Sequence, residues 1–317
     1  MRMPNGDDAV LELDKETTIE EFTVPTTFDT VVPGLTFTEG ARWHDGRIWF
    51  SDLYTHKVQS ACEDGSDLRE EATVPQQPSG LGWLPDGRLL IVSMMDKTLL
   101  RREADGSLVV HADLSDHVRG FLGDIVVDRH GRAYLGDFGF DLYAGEDMRR
   151  GFIHRVDPDG TITRVADDLW FPNGCVITAD DVMLVNETFG NRMTAFDLTE
   201  SGDLVNRRVW ASFGPLPISS NADEALKEVT VAPDGSCIDS EGGVWLADIR
   251  QDRLHRVVDG AIVESVDPGS CVFACALGGT DGHTLFFCAT PDFDVEARKA
   301  ARDSSIVSMR VDIPSAR

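Results

Sequence analysis

Short apolar runs alternate along this chain with acidic or glycine-bearing breaks, and one such unit is written six times. The copies begin at Glu39 (EGARWHDGRIWFSD), Ser79 (SGLGWLPDGRLLIVSM), Gly123 (GDIVVDRHGRAYLGD), Asn173 (NGCVITADDVMLVNET), Asp234 (DGSCIDSEGGVWLAD) and Ala274 (ACALGGTDGHTLFFCAT). Each reads as a short strand, a tight turn and a second strand rich in Val, Leu, Trp and Phe. Two further strands follow: after Asp52 come THKVQSACEDG and DLREEATV, which makes a four-stranded up-and-down meander. The dipeptides Asp45-Gly46, Asp64-Gly65, Asp86-Gly87, Asp105-Gly106, Asp159-Gly160, Asp234-Gly235, Asp259-Gly260 and Asp281-Gly282 are read as hairpin turns between apolar strands.

Successive copies start 40, 44, 50, 61 and 40 residues apart. That period, with four strands per copy, predicts an all-β fold: a six-bladed β-propeller of four-stranded antiparallel blades around a central channel. The wider gaps hold insertions at 139–151 and before Asp234, where ADEALKEV predicts a short helix; a second helix is predicted over 292–303. The final SSIVSMRVDI is expected to close the last blade beside the early FDTVV. Residues 1–25 read as an acidic N-terminal arm and residues 26–317 as a single propeller domain. An α/β fold would need crossover helices that the pattern lacks.

Aligned on their turns, the units begin with Glu39, Ser79, Gly123, Asn173, Asp234 and Ala274. Inner strands line the channel of a propeller, so this position forms a ring near its mouth. Each polar member alone could cap a turn, and Asn173-Gly174 and Asp234-Gly235 are themselves turn dipeptides. At one register of a six-fold repeat, Glu39, Asn173 and Asp234 instead converge as an all-oxygen set, the preference of a hard cation. Ser79 is a weaker contributor. Three protein ligands leave positions for water and substrate.

The formal net charge of −26 excludes phosphate backbones and anionic membranes as natural partners. Nothing resembles a signal peptide or a membrane span, so a soluble, cytoplasmic protein is expected. The six cysteines (Cys62, Cys175, Cys237, Cys271, Cys275 and Cys288) read as structural thiols, since most sit among apolar strand residues and none forms a CxxC pair. No GxSxG marks a serine esterase.

TEGARW, FPNGCVITADDVMLVNET and PDGSCIDSEGGVWLAD closely resemble the senescence-marker-protein/gluconolactonase family, which includes regucalcin-like lactonases. The likeness runs from about Val31 to the last repeat. It implies a six-bladed propeller with one divalent metal at the channel mouth, held by Glu39, Asn173 and Asp234. Ca²⁺ is the first expectation, with Mg²⁺, Mn²⁺ and Zn²⁺ open. It also implies hydrolysis of a small-molecule lactone or related ester, the metal polarising the carbonyl and Asp234 orienting or deprotonating water. The alternatives are an organophosphate-type hydrolase and a non-catalytic propeller that binds metal or a partner. The triad argues against a strictosidine-synthase-like condensing enzyme.

One departure bears on substrate. Many members carry Asn-Asp where this chain has Gly123-Asp124, which leaves a gap for water or substrate. The Arg that members of sugar-acid activity place two residues earlier is Phe121 here, and Arg119 is out of register. A more apolar ring or ester is therefore expected. The candidate substrate-binding residues are Phe121, Asp124, Arg119, Phe138 and Phe171, with Phe140 and His117 nearby. Asp52 and Asp137 read as turn residues.

Overall fold

The computed structural model describes residues 27–316 and arranges them as six four-stranded antiparallel sheets. The arm over residues 1–25 lies outside the described residues. Each sheet grows outward from an inner strand: Thr38–His44, Pro78–Trp83, Leu122–Val127, Pro172–Ile177, Pro233–Ile238 and Cys271–Gly278. Each inner strand packs against the next, and the sixth packs against the first, so the sheets are blades closed in a ring. This is the six-bladed propeller that the repeat predicts. The sixth blade combines both ends of the described chain: Cys271–Gly278, Thr284–Thr290 and Ser304–Arg310 continue into Asp29–Leu35 as the outermost strand.

Stacked blades cover both faces of the strands between them. The second strands Leu89–Ser93 and Thr284–Thr290 are buried at every position, which is why they read as unbroken apolar runs rather than alternating ones. Phe286 and Phe287 point to opposite faces; the first packs with first-blade residues and the second with fifth-blade residues. Burial of each such ring contributes about 1.5–3 kcal/mol. Outer strands such as Arg69–Thr73 (REEAT) face water. Six apolar clusters fill the six inter-blade spaces, and a seventh lies at one mouth of the channel.

Gly46, Gly65, Gly87, Gly106, Gly160, Gly260 and Gly282 have left-handed φ, as Asp-Gly turns require. Asp234-Gly235 is the exception and corrects the reading of that pair as a turn: both residues lie inside the strand Pro233–Ile238. Gly235 is there for close approach, since a Cβ would sit 2.7 Å from the Cα of Ala274 on the next blade.

The helix Ala222–Glu228 forms as expected, with the Asn221 side chain accepting from the Glu224 amide at its start. The predicted helix over 292–303 is shorter, Val295–Ala300, because Ala301 is already extended toward the strand Ser304–Arg310. All six cysteines are free thiols. Among the described residues no helix is long and apolar enough to cross a membrane.

The structure also corrects the sixth ring position. In the first blade the inner hairpin turns through Asp45 and Gly46, between the paired residues His44 and Arg47. In the sixth, Gly278 pairs with Thr284, so five residues, Gly279–His283, make the turn. Aligning on the turn shifts the position by one. Phe273, not Ala274, is the sixth blade's counterpart of Glu39, and Phe273 faces the cavity described next.

Candidate functional site

At one end of the channel the ring opens into a cavity of about 270 Å³. Glu39, Ser79, Gly123, Asn173, Asp234 and Phe273, one residue from each inner strand, all line it. The structure therefore brings Glu39, Asn173 and Asp234 to one place, although they come from the first, fourth and fifth blades.

A repeated device holds these strand starts. The residue ending the second strand of four blades is a buried carboxylate that accepts hydrogen bonds from amides just before the inner strand. Asp52 accepts from the Thr36 and Phe37 amides, each at 3.2 Å. Asp137 accepts from Arg119 and Gly120, Glu187 from Trp170 at 2.8 Å, and Asp248 from Ala232 at 2.8 Å. These amides lie two to four residues ahead of Glu39, Gly123, Asn173 and Asp234. Asp52 and Asp137 are thus buried clamps at strand ends, which corrects their reading as turn residues. Further support comes from Thr188, whose hydroxyl donates to the Pro233 carbonyl at 2.9 Å, and from Asn186, which donates to the Asp234 carbonyl.

Burial and mutual repulsion push both floor carboxyls toward their protonated forms. Burial first, and then the negative charge of Asp124, pushes the Glu39 carboxyl up to about 8. Burial, followed by repulsion from Glu39 and Asp124, lifts Asp234 well above the usual carboxylate range, and a hydrogen bond from Asn173 opposes that rise. Among the described residues no Arg, Lys or His lines the cavity. Arg42, whose charge acts on Glu39, is committed elsewhere: its Nη2 donates to Asp124 Oδ1 at 2.5 Å and to the Ile125 carbonyl at 2.9 Å. The other oxygen of Asp124, Oδ2, is buried at the cavity without a hydrogen-bond partner. Burial pushes the thiols of Cys175, Cys275 and Cys288 up, so they stay protonated and offer no soft ligand.

Two carboxylates and an amide oxygen suit a hard cation. Among the described residues no group of three or more His, Cys, Asp or Glu is placed to hold a metal, and this set does not need one, because its third member is an asparagine.

The walls are aromatic and aliphatic. Phe138 and Phe171 line the cavity and stack with ring centroids 3.9 Å apart. Phe121 does not line it; it packs behind the wall, 5.4 Å from the Tyr143 ring. Phe140 is likewise buried behind Phe171. Arg119 is exposed, with its guanidinium over Phe152 at 5.6 Å, and His117 packs toward His154; neither faces the cavity. The gap expected at Gly123 is closed: a Cβ there would lie 2.6 Å from Phe138 Cε1. Sequence reasoning missed Tyr54, Leu142, Tyr143, Leu226 and Phe293, which reach the cavity from loops and the short helix. It also missed Arg42, whose partner is 82 residues away across the channel.

A family model described as the SMP-30/Gluconolactonase/LRE-like region matches residues 37–290. The pentonolactonase XacC of Haloferax volcanii is 27% identical over 255 residues, covering 78% of this chain and 79% of that protein. Regucalcin of Danio rerio is 26% identical over 185 residues, 57% of this chain and 58% of that protein. The solved structure of a calcium-binding regucalcin from Agrobacterium tumefaciens superposes with a TM-score of 0.72 over 92% of this chain and 96% of that one; at 22% identity the likeness is one of fold.

Proposed function

The chain belongs to the SMP-30/gluconolactonase/LRE-like family, and from that premise we propose that it hydrolyses a lactone or related ester with one divalent cation at the cavity floor. The observation that carries this reading is the convergence of Glu39, Asn173 and Asp234 on a cavity that, among the described residues, has no basic side chain in its lining. The similar protein named a pentonolactonase supports the reaction class. The structural relative described as calcium-binding makes Ca²⁺ the first cation to test, ahead of Mg²⁺, Mn²⁺ and Zn²⁺.

Glu39, Asn173 and Asp234 would hold the cation, which when bound acts as a Lewis acid toward the substrate carbonyl. Asp234 then orients the attacking water and takes its proton as the new carbon–oxygen bond forms. That proton passes to the ring oxygen as the old bond breaks, leaving a hydroxy acid. Asn173 carries no charge, so it adds an oxygen donor without adding to the repulsion between Glu39 and Asp234. Asp124 has one oxygen fixed by Arg42, and its buried Oδ2, unpartnered among the described residues, would accept from a water or substrate hydroxyl admitted to the cavity floor.

Treatment with EDTA is expected to abolish turnover, and added Ca²⁺, Mg²⁺, Mn²⁺ or Zn²⁺ to restore it. Cation binding without turnover across a broad panel of lactones, aryl esters and organophosphates would favour a non-catalytic propeller instead.

The raised carboxyls give a second expectation. In the metal-free protein Glu39 keeps its proton up to about pH 8, whereas the unfolded chain loses it near 4.5. Across that window the folded state binds more protons, so metal-free stability falls as pH rises. A cation must displace those protons, so its affinity rises with pH. Calorimetric Ca²⁺ titrations are expected to show proton release, and affinity about tenfold or more higher at pH 8 than at pH 6. An affinity that does not change with pH would remove the two carboxyls from the site.

A further inference from the structure

The wall beside Asn173 is built at a conformational cost. Phe171, two residues earlier in the chain, has a left-handed backbone with φ 56°. A bulky side chain rarely adopts that conformation, and the surrounding structure must enforce it. The result is that Phe171 stacks on Phe138 at 3.9 Å and 19°, with Phe189 edge-on to Phe171 at 5.1 Å. Phe138 in turn reaches over Gly123, the ring position that has no side chain, and a Cβ there would clash with Phe138 Cε1 at 2.6 Å. Gly123, Phe138 and Phe171 therefore form one unit: the glycine admits the first ring, and the strained backbone holds the second against it.

This unit lies next to Asn173, and all four residues line the cavity. A substrate whose carbonyl lies over Glu39, Asn173 and Asp234 meets the paired rings on the side of Asn173 and Gly123. An aromatic face there offers no hydrogen-bond acceptor for sugar hydroxyls, and among the described residues no basic side chain lines the cavity to partner a carboxylate or phosphate substituent. A flat apolar group, by contrast, gains burial and ring contact.

The geometry points to lactones and esters whose carbonyl adjoins an aromatic or apolar ring as the substrate class, with Phe138 and Phe171 as the residues that select them. This rests on the hydrolase reading above for the chemistry, but the binding preference can be measured without turnover. The Ca²⁺-loaded protein is titrated with two non-hydrolysable cyclic amides, 3,4-dihydro-2-quinolinone and gluconolactam. The aryl lactam is expected to bind at least about tenfold tighter, and to lose most of that advantage in Phe138→Leu, which keeps apolar volume but removes the ring. The paired substitution Gly123→Asn with Phe138→Ala, which exchanges the ring for an amide, is expected to shift preference toward gluconolactam. Unchanged Ca²⁺ affinity in Phe138→Leu shows that the fold survives.

Equal or tighter binding of gluconolactam by the native protein overturns the inference, as does an aryl-lactam affinity untouched by Phe138→Leu. Hydrolysis of dihydrocoumarin and glucono-δ-lactone separates the two readings. Aryl-lactam preference with neither lactone hydrolysed supports the inference and removes the hydrolase. Faster turnover of the sugar lactone overturns the inference and leaves the hydrolase standing.

Discussion

Asp234→Asn is expected to lower kcat/KM for lactone hydrolysis by on the order of 10³-fold or more, comparable to the loss of a principal electrostatic group at a reacting carbonyl. The substitution keeps the size of the side chain and removes its charge. Supporting groups one layer out from a metal already cost about 10–100-fold in affinity when changed, so loss of a charged ligand is expected to weaken Ca²⁺ binding by at least about 100-fold. Measuring turnover at saturating Ca²⁺ divides the effect: activity recovered by excess cation assigns Asp234 to holding the metal, and a residual deficit assigns it to the water as well. The metal-free variant is expected to be no less stable than the native protein at neutral pH, because burial and the charges of Glu39 and Asp124 already disfavour the ionised carboxylate. Native-like hydrolysis by Asp234→Asn or Asp234→Ala would remove the residue, and the metal-dependent mechanism with it.

Asp248→Ala is expected to cost about 3 kcal/mol in stability, because it strands buried partners rather than deleting a surface group. Asp248 is fully buried; its Oδ1 accepts from the Ala232 and Arg250 amides at 2.8 and 2.9 Å, and its Oδ2 faces His255 Nε2 at 3.2 Å. Ala232 and His255 are themselves buried, so water does not replace the carboxylate for them. For a chain of this size the expected fall in Tm is roughly 6–12 °C, read by calorimetry. Asp248→Asn, which retains an acceptor oxygen, is expected to recover part of it. Since Ala232 lies two residues before Asp234, Ca²⁺ affinity is expected to weaken in Asp248→Ala while the exposed Asp223→Ala leaves stability unchanged. A Tm shift below about 2 °C would mean that the clamp contributes little.

The propeller was legible because each blade is local: hairpin strands, acidic turns and buried second strands recur within a single unit, and the same register that repeats the blade places Glu39, Asn173 and Asp234 around one axis. Where the repeat varies, the reading slipped. The five-residue turn Gly279–His283 moved the sixth position by one, from Phe273 to Ala274. Asp234-Gly235 has the composition of a turn but serves the close approach of two inner strands. The cavity wall was only partly legible. Phe138 and Phe171 sit near blade boundaries that the repeat locates, whereas Tyr143 and Phe293 arrive on insertions whose paths no periodicity sets. Arg119 stood close in sequence yet points outward, and the ion pair of Arg42 with Asp124 spans the channel, where no local pattern records it.

The sixth blade carries a consequence for how the site comes into being during synthesis. Its outermost strand, Asp29–Leu35, is synthesised well over 200 residues before its neighbour Ser304–Arg310. Glu39 belongs to the blade on one side of that seam and Asp234 to the blade on the other. Bonds from Asn186 and Thr188 already hold Asn173 beside Asp234 between adjacent blades, whereas Glu39 is fixed against them across the seam only when the sixth blade closes. Sequence-distant pairing of this kind is slow to form, so assembly of the cation site should coincide with the final and rate-limiting closure of the ring rather than precede it.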